Sequence, residues 1–190
     1  VILATGSVKR PLPGTEFGGR VIGTEEAWQL DELPKSLVVA GAGASGSEIA
    51  SAYARFGVEV TLFEGLDRVV PGEDADISKV VARGFKKQGI EVHTSTFVEN
   101  VKTAEDKVTF SHGETHADAD WFVIATGRAP DVAGLGLDVA GVELDERGLI
   151  KVDGRMRTSA QKIYAIGDLV PGPALAHKSS DEGVIAVEDA

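Results

Sequence analysis

Gly41, Gly43, Gly46 and Glu64 are the residues whose types and spacing point most directly to chemistry. The glycines follow an apolar run, Leu37 to Ala40. A helical stretch then reaches Phe56, and a second apolar run from Val58 to Phe63 ends on Glu64. A strand, a Gly-x-Gly-x-x-Gly turn, a helix and a strand closed by a carboxylate form the fingerprint of a dinucleotide site. Gly41 permits the tight turn off the first strand, Gly43 lets the backbone approach the phosphates with no Cβ between them, and Gly46 lets the helix lie close on the sheet. The free N–H groups and positive dipole end of that helix then face the diphosphate. Glu64, at the tip of the second strand, is placed to accept hydrogen bonds from the adenosine ribose hydroxyls.

Loose matches to three spaced glycines arise readily in a chain with 23 glycines among 190 residues, so the flanking elements carry the weight. The helix after the turn has small and apolar packing residues at Ile49, Ala50, Ala52, Tyr53 and Phe56, and Gly57 closes it. Residues 24 to 30 read as a short helix capped by Thr24, with Glu25 and Glu26 in its first turn. Asp74 to Gln88 reads as a longer one, with Ile77, Val80, Val81 and Phe85 at three- and four-residue spacing and Gly89 beyond its end. Ile90 to His93 is the next parallel strand. Short alternating segments with polar turns at 104–106 and 111–114 predict an antiparallel meander in place of a crossover helix, and Trp121 to Ala125 returns to a fully buried strand. The expected fold class is α/β, a Rossmann-like doubly wound parallel sheet carrying an antiparallel meander.

Composition bounds the partners. With 43% apolar residues the chain can bury one good core and part of a second. No apolar run approaches the roughly 18 residues of a membrane span, and no charged segment precedes the first apolar residues in the manner of an export signal. The expected location is the cytoplasm, or the mitochondrial matrix in a eukaryote. A net charge of -11 argues against nucleic acid or an anionic membrane as partner. It also requires an anionic cofactor to be held by local backbone and helix-end donors. The absence of cysteine excludes disulfides, thiolate metal sites and cysteine redox chemistry on this chain. Val1 to Ala4 is already a buried-strand pattern with no initiator Met, so the chain is expected to begin inside a longer protein.

That opening strand recurs. Ile2-Leu3-Ala4-Thr5-Gly6 and Val123-Ile124-Ala125-Thr126-Gly127 are the same short box, and Ile163-Tyr164-Ala165-Ile166 runs into Gly167-Asp168. Strands 1–4 and 163–166 are expected to pair with each other, leaving an apolar edge that favours association with another copy.

Leu33-Pro34-Lys35-Ser36 ahead of Gly41, Gly46-Ser47-Glu48-Ile49-Ala50, Glu64-Gly65-Leu66-Asp67-Arg68, Gly127-Arg128-Ala129-Pro130 and the Gly167-Asp168 strand resemble the flavin disulfide reductase family, in its dihydrolipoamide dehydrogenase branch. The stretch Pro171 to Lys178, with Glu182-Gly183, is the part specific to that branch. The resemblance covers essentially the whole chain. It implies 1–32 as the end of a first FAD-domain segment, 33–130 as an NAD-binding domain, and 131–190 as part of the returning FAD-domain segment. The parent flavoenzyme would oxidise protein-bound dihydrolipoamide through a disulfide and FAD, with hydride transfer to NAD, as a homodimer in a 2-oxo acid dehydrogenase complex. The disulfide and the acid-base pair lie outside this chain, so no catalytic residue is assigned here and the isolated piece is expected to be inactive.

Carried over residue by residue, the resemblance places the NAD diphosphate on the turn formed by Gly41, Ala42, Gly43, Ala44, Ser45 and Gly46, with Ser47 in the same helical turn. Glu64 would take the ribose, Val98 would lie against the adenine, Gly127 would sit at the nicotinamide end, and Glu48 would join it there in the parent enzyme, beside a lysine that precedes this chain, while in this chain alone Glu48 is expected to be a solvated helix residue. FAD of the parent would meet Thr5, Gly6, Ser7, Asp168, Ala174, Leu175, Ala176 and His177. The chain departs from the family in having no bulky residue at Ala44 or Ser45, which widens the expected pocket mouth. NAD is favoured over NADP because an ionised Glu64 would repel a 2′-phosphate, and Arg68 alone makes no basic pocket. Another flavin disulfide reductase or an NADH oxidase is the alternative within the enzymes, and a nucleotide-binding interaction module is the alternative outside them.

Other candidates are weaker. His112 and His116 stand four apart but fall in an expected hairpin with no third ligand, so a solvated turn is expected and no metal site. Ser45 and Ser47 lack the flanking glycines of a nucleophile elbow. Trp28 and Trp121 are expected to be packing residues.

Overall fold

The computed structural model describes all 190 residues and divides them into two compact units, 1–8 with 128–190, and 9–127. The chain opens in the smaller unit with β1 (Ile2–Leu3) and β2 (Ser7–Lys9), then builds the larger unit. There, β3 (Val21–Ile22), α1 (Thr24–Ala27), β4 (Ser36–Ala40), α2 (Ala44–Arg55), β5 (Glu59–Phe63), α3 (Ala75–Lys87) and β6 (Glu91–His93) follow in turn. A meander of β7 (Glu99–Thr103), β8 (Val108–His112) and β9 (Thr115–Ala119) leads into β10 (Trp121–Ile124). The chain re-enters the smaller unit with β11 (Arg128–Pro130), α4 (Leu137–Ala140), β12 (Tyr164–Ala165), a 3-10 turn over Gly167–Leu169 and α5 (Ala176–Asp189).

The larger unit is a five-stranded sheet in the order β3-β10-β4-β5-β6, parallel throughout. Because side chains alternate along a strand, β4 sends Leu37 and Val39 to one face and Val38 and Ala40 to the other. The first pair joins Ile49, Ala50, Tyr53 and Phe85 of α2 and α3 in one core. The second pair joins Val108, Phe110 and Ala119 of the meander in another. The meander therefore closes the face that a crossover helix covers in a fully doubly wound sheet, as the alternating segments predict. The β4 register is fixed at its start, where the Asp120 carboxylate accepts from the Lys35 N–H at 2.7 Å and Ser36 Oγ accepts from the Asp120 N–H at 3.0 Å.

Four expectations change. β3 pairs with β10, Val21 beside Phe122 and Ile22 beside Val123, so residues 9–32 belong with the larger unit rather than with a segment ending at 32. α1 is capped by Gly23 rather than Thr24: the Glu26 carboxylate reaches back to the Gly23 N–H at 3.0 Å while also pairing with Lys9. That lysine hydrogen bond, outweighing partial desolvation, lowers the Glu26 pKa below the usual carboxylate range. On α3, Phe85 is buried but Ile77 and Val80 are 51% and 57% exposed, so the helix buries a narrower face than its apolar spacing suggests. Trp28 is 55% exposed and is no packing residue; Trp121 is half-buried, with the Arg20 guanidinium 5.1 Å from its ring centroid.

In the smaller unit β1 and β12 pair in parallel, Ile2 beside Tyr164 and Leu3 beside Ala165, the pairing expected of strands 1–4 and 163–166. Ala165 and Leu169 bury with Ile150, Leu137 and Val170 in a third core. The Asp189 carboxylate accepts from Arg157, from Arg155 Nη1 at 2.9 Å and from the Tyr164 hydroxyl at 3.0 Å. No helix of the chain is long and apolar enough to cross a membrane.

Candidate functional site

β4 and β5 are parallel neighbours, so the turns leaving their carboxyl ends meet. Ala40 lies beside Phe63, and the Gly41 N–H donates to the Phe63 carbonyl at 2.8 Å. Gly41 has φ +103°, and a Cβ there would stand 2.5 Å from the Ala125 carbonyl oxygen. At Gly46, in the first turn of α2, a Cβ would stand 1.9 Å from the Gly41 carbonyl oxygen. Both are required by the protein's own packing. Gly43 differs: nothing lies within 4 Å of its Cβ position, and it borders a cavity of about 1170 Å³. The missing side chain at Gly43 thus leaves room outside the protein rather than within it, as a turn cradling a ligand requires.

Gly43 is the residue before α2 and supplies no side-chain cap. The first-turn N–H groups, which have no partner inside the helix, stay available to an anion at the positive end of the dipole. Ser47 turns inward instead: its Oγ donates to the Ala42 carbonyl at 3.1 Å, which also accepts the Val70 N–H at 2.7 Å. These two bonds fix the turn from behind.

Glu64 stands on the cavity wall. Its Oε2 accepts from the Ala42 N–H at 2.8 Å and its Oε1 from the Leu66 N–H at 2.9 Å. The two amides orient the carboxylate, and since each oxygen accepts more than one hydrogen bond, capacity remains for two sugar hydroxyls. Arg68 is directed elsewhere, its Nη2 donating to the Pro71 carbonyl at 3.0 Å.

Gly41, Gly43, Ala44, Ser45, Glu64, Val98 and Gly127 all border this cavity. Ala42, Gly46 and Ser47 are buried behind it. Glu48 is exposed and borders a different, shallow depression with Ser51, Arg55 and Phe85, so it is not brought to the cavity with the other expected residues. The pattern-based reading missed the loop of Arg10 to Gly14, the Phe97 ring and Lys102, which complete the walls. Nothing in the spacing of Pro11 and Pro13 marks that loop as a wall; the Arg10 N–H donates to the Gly127 carbonyl at 3.4 Å and Leu12 packs against the second core. Arg10 and Lys102 place two cationic side chains on the cavity wall in an otherwise acidic chain.

His112 is no solvated turn residue. Its ring lies 4.9 Å from Phe63 and 5.3 Å from His93, and no third side chain suited to a metal joins it or His116.

In the smaller unit, Thr5 Oγ1 donates to the Asp131 carbonyl at 2.6 Å, and Arg128 Nε donates to Ser7 Oγ at 2.6 Å. Ser7 Oγ in turn donates to the Asp168 carboxylate at 2.6 Å. Gly6 has φ +78° and its carbonyl accepts the Asp131 N–H at 2.9 Å. Ala174, Leu175, Ala176 and His177 are exposed at the start of α5. Behind Asp168, the buried Glu182 carboxylate accepts the Gly167 N–H at 2.7 Å and pairs with Lys178 at 2.9 Å.

A sequence profile of the family described as pyridine nucleotide-disulphide oxidoreductase matches residues 1–183. Dihydrolipoyl dehydrogenase of Geobacillus stearothermophilus is 44% identical over 191 residues, covering 98% of this chain and 41% of that protein; the Bacillus subtilis enzyme is 43% identical over 192 residues, with the same coverage of each chain. Among solved structures, the Cu(II) complex of the HOCl-induced flavoprotein disulfide reductase RclA from Escherichia coli superposes with a TM-score of 0.91 at 33% identity, covering 99% of this chain and 44% of RclA. The chain thus spans less than half the length of the relatives it matches.

Proposed function

The chain belongs to the pyridine nucleotide-disulphide oxidoreductase family, and from that premise we propose that it is the NAD(H)-binding region of a dihydrolipoyl dehydrogenase. The observation that carries this reading is the asymmetry of the three glycines. Gly41 and Gly46 are closed against the protein while Gly43 opens on the cavity, with the amide-oriented Glu64 carboxylate on the same wall. The turn from Gly41 to Gly46 and the first amides of α2 hold the diphosphate. Glu64 takes the adenosine ribose, Val98 the adenine side, and Gly127 the nicotinamide end. NAD, when bound, supplies the hydride-accepting ring. The residues of this chain bind it, orient it and exclude water, and none acts as nucleophile or proton donor.

Members of the family use FAD as well, and in the parent enzyme Asp168, Ser7, Thr5, Gly6 and Ala174 to His177 contact the flavin. Protein-bound dihydrolipoamide is the substrate of that enzyme, a homodimer working within a 2-oxo acid dehydrogenase complex in the cytoplasm or mitochondrial matrix. Calorimetric titration of the chain with NADH tests the binding reading. Saturable binding that weakens in Glu64→Ala supports it, and no heat from the unaltered chain overturns it. The likeness to RclA favours a second reading, a flavin disulfide reductase acting on another disulfide. Dihydrolipoamide-dependent NAD reduction by the whole enzyme separates the two.

A further inference from the structure

Phe97 is 72% exposed, a large aromatic ring left in solvent on the wall of the candidate cavity. It is not one of the rings packed around Phe63, His93, Phe110 and His112. Its position is nevertheless held. The ring lies on Gly65 so closely that a Cβ there would stand 2.5 Å from its edge. The segment carrying it is tied to the Glu64–Leu66 strand end by two backbone bonds, the Thr96 N–H to the Glu64 carbonyl at 2.9 Å and the Ser95 N–H to the Leu66 carbonyl at 2.7 Å. Ser95 adopts φ +51° to make this approach. The ring edge therefore rests at Gly65, one residue along the chain from the carboxylate assigned to the ribose, and the rest of the ring is open.

Covalent geometry then places the base. Hydroxyls held by Glu64 sit on C2′ and C3′ of the sugar, and the purine is bonded to the adjacent C1′, so the base must fall on the wall next to Glu64. That wall carries Phe97 and Leu66, exposed apolar groups, beside the half-buried Val98, which packs on the second core. We propose that Phe97 is the stacking platform for the adenine of the bound dinucleotide, and that Gly65 is glycine because the platform rests on it. Stacking of a base on an aromatic ring is tolerant of base identity, so the site holds the nucleoside through Glu64 and the ring together and reads no base edge. This inference rests on the dinucleotide reading given above.

The test is a set of titrations of the chain with ADP-ribose, which keeps the adenosine and diphosphate and lacks only the nicotinamide, and with reduced nicotinamide mononucleotide, which lacks the adenosine. Phe97→Ala is expected to weaken ADP-ribose about tenfold, Phe97→Trp to restore it, and neither to change binding of the mononucleotide. The adenine proton resonances of bound ADP-ribose should shift upfield from the ring current in the unaltered chain and lose that shift in Phe97→Ala. Undiminished ADP-ribose binding in Phe97→Ala, with Glu64→Ala still weakening it, overturns the platform and leaves the dinucleotide reading standing. Failure of the unaltered chain to bind ADP-ribose or NADH overturns both.

Discussion

The three glycines of the fingerprint make unequal demands, and substitutions separate them. Gly46→Ala forces a Cβ against the Gly41 carbonyl at 1.9 Å, so we expect it to cost about 3 kcal/mol of stability as an overpacked site, read by urea unfolding. Gly43→Ala meets no protein atom within 4 Å and changes only a helix cap, at a cost of about 1 kcal/mol or less. It should leave the melt nearly unaltered while weakening NADH on the order of tenfold by placing a methyl group where the phosphates approach. A Gly43→Ala chain that binds NADH normally would show that the open side of the turn faces no ligand. On the proposed reading Glu64 sets the specificity, so Glu64→Arg is expected to gain NADPH affinity relative to NADH, and a variant with no such gain would remove the like-charge explanation for discrimination. Most of the residues at this turn and cavity were legible in the sequence because a tight strand-to-helix turn closed by a second strand imposes local needs at fixed spacing. Phe97 and the Arg10 to Gly14 loop were not, because they reach the cavity through pairings between residues far apart in the chain.

At the level of elements, the parallel strands and the meander could be read in advance because burial on one face or both imposes a visible period. The two misread details, the α1 cap and the α3 face, have physical causes. Glu26 reaches its own N-cap amide and Lys9 at once, which recruits Gly23 in place of Thr24. On α3 the core contact comes from Phe85 and partly from Val81, so Ile77 and Val80 are periodic without being packed. α3 is capped by Asp74, whose carboxylate accepts from the Asp76 N–H at 2.8 Å. Asp74→Ala should therefore destabilise the larger unit by about 1 kcal/mol, measured by thermal melting, with Asp74→Asn or Asp74→Ser restoring most of it. An unchanged melt would mean that the helix end is held by its packing alone.

Across the whole molecule, the chain departs from the smaller unit after β2 and returns at β11, so one unit interrupts the other. The expected pairing of strands 1–4 and 163–166 made this visible, since a strand that pairs with β12 across about 160 residues of sequence must belong to a sheet the intervening unit does not share. The position of the first boundary was not legible, because β3 is only two residues long and carries no periodicity. In the smaller unit, hydrogen bonds from Arg157 and then Arg155 hold the Asp189 carboxyl well below the usual carboxylate range. A carboxyl with a depressed folded-state pKa contributes stability at pH values above its unfolded pKa, about 3.9, and loses that contribution as pH falls through the folded value. Unfolding of the smaller unit should therefore become easier below about pH 4, and Asp189→Asn should flatten that part of the profile. An identical acid profile in the two proteins would show that the arginine cluster contributes nothing.

The dinucleotide cradle itself is tested most directly by a crystal structure of the chain grown with NADH. We expect density for the diphosphate over the first turn of α2 between Gly41 and Gly46, with the adenosine ribose at the Glu64 carboxylate. Density for the nucleotide on any other surface, or none at millimolar NADH, would contradict the assignment of this turn as the cofactor site.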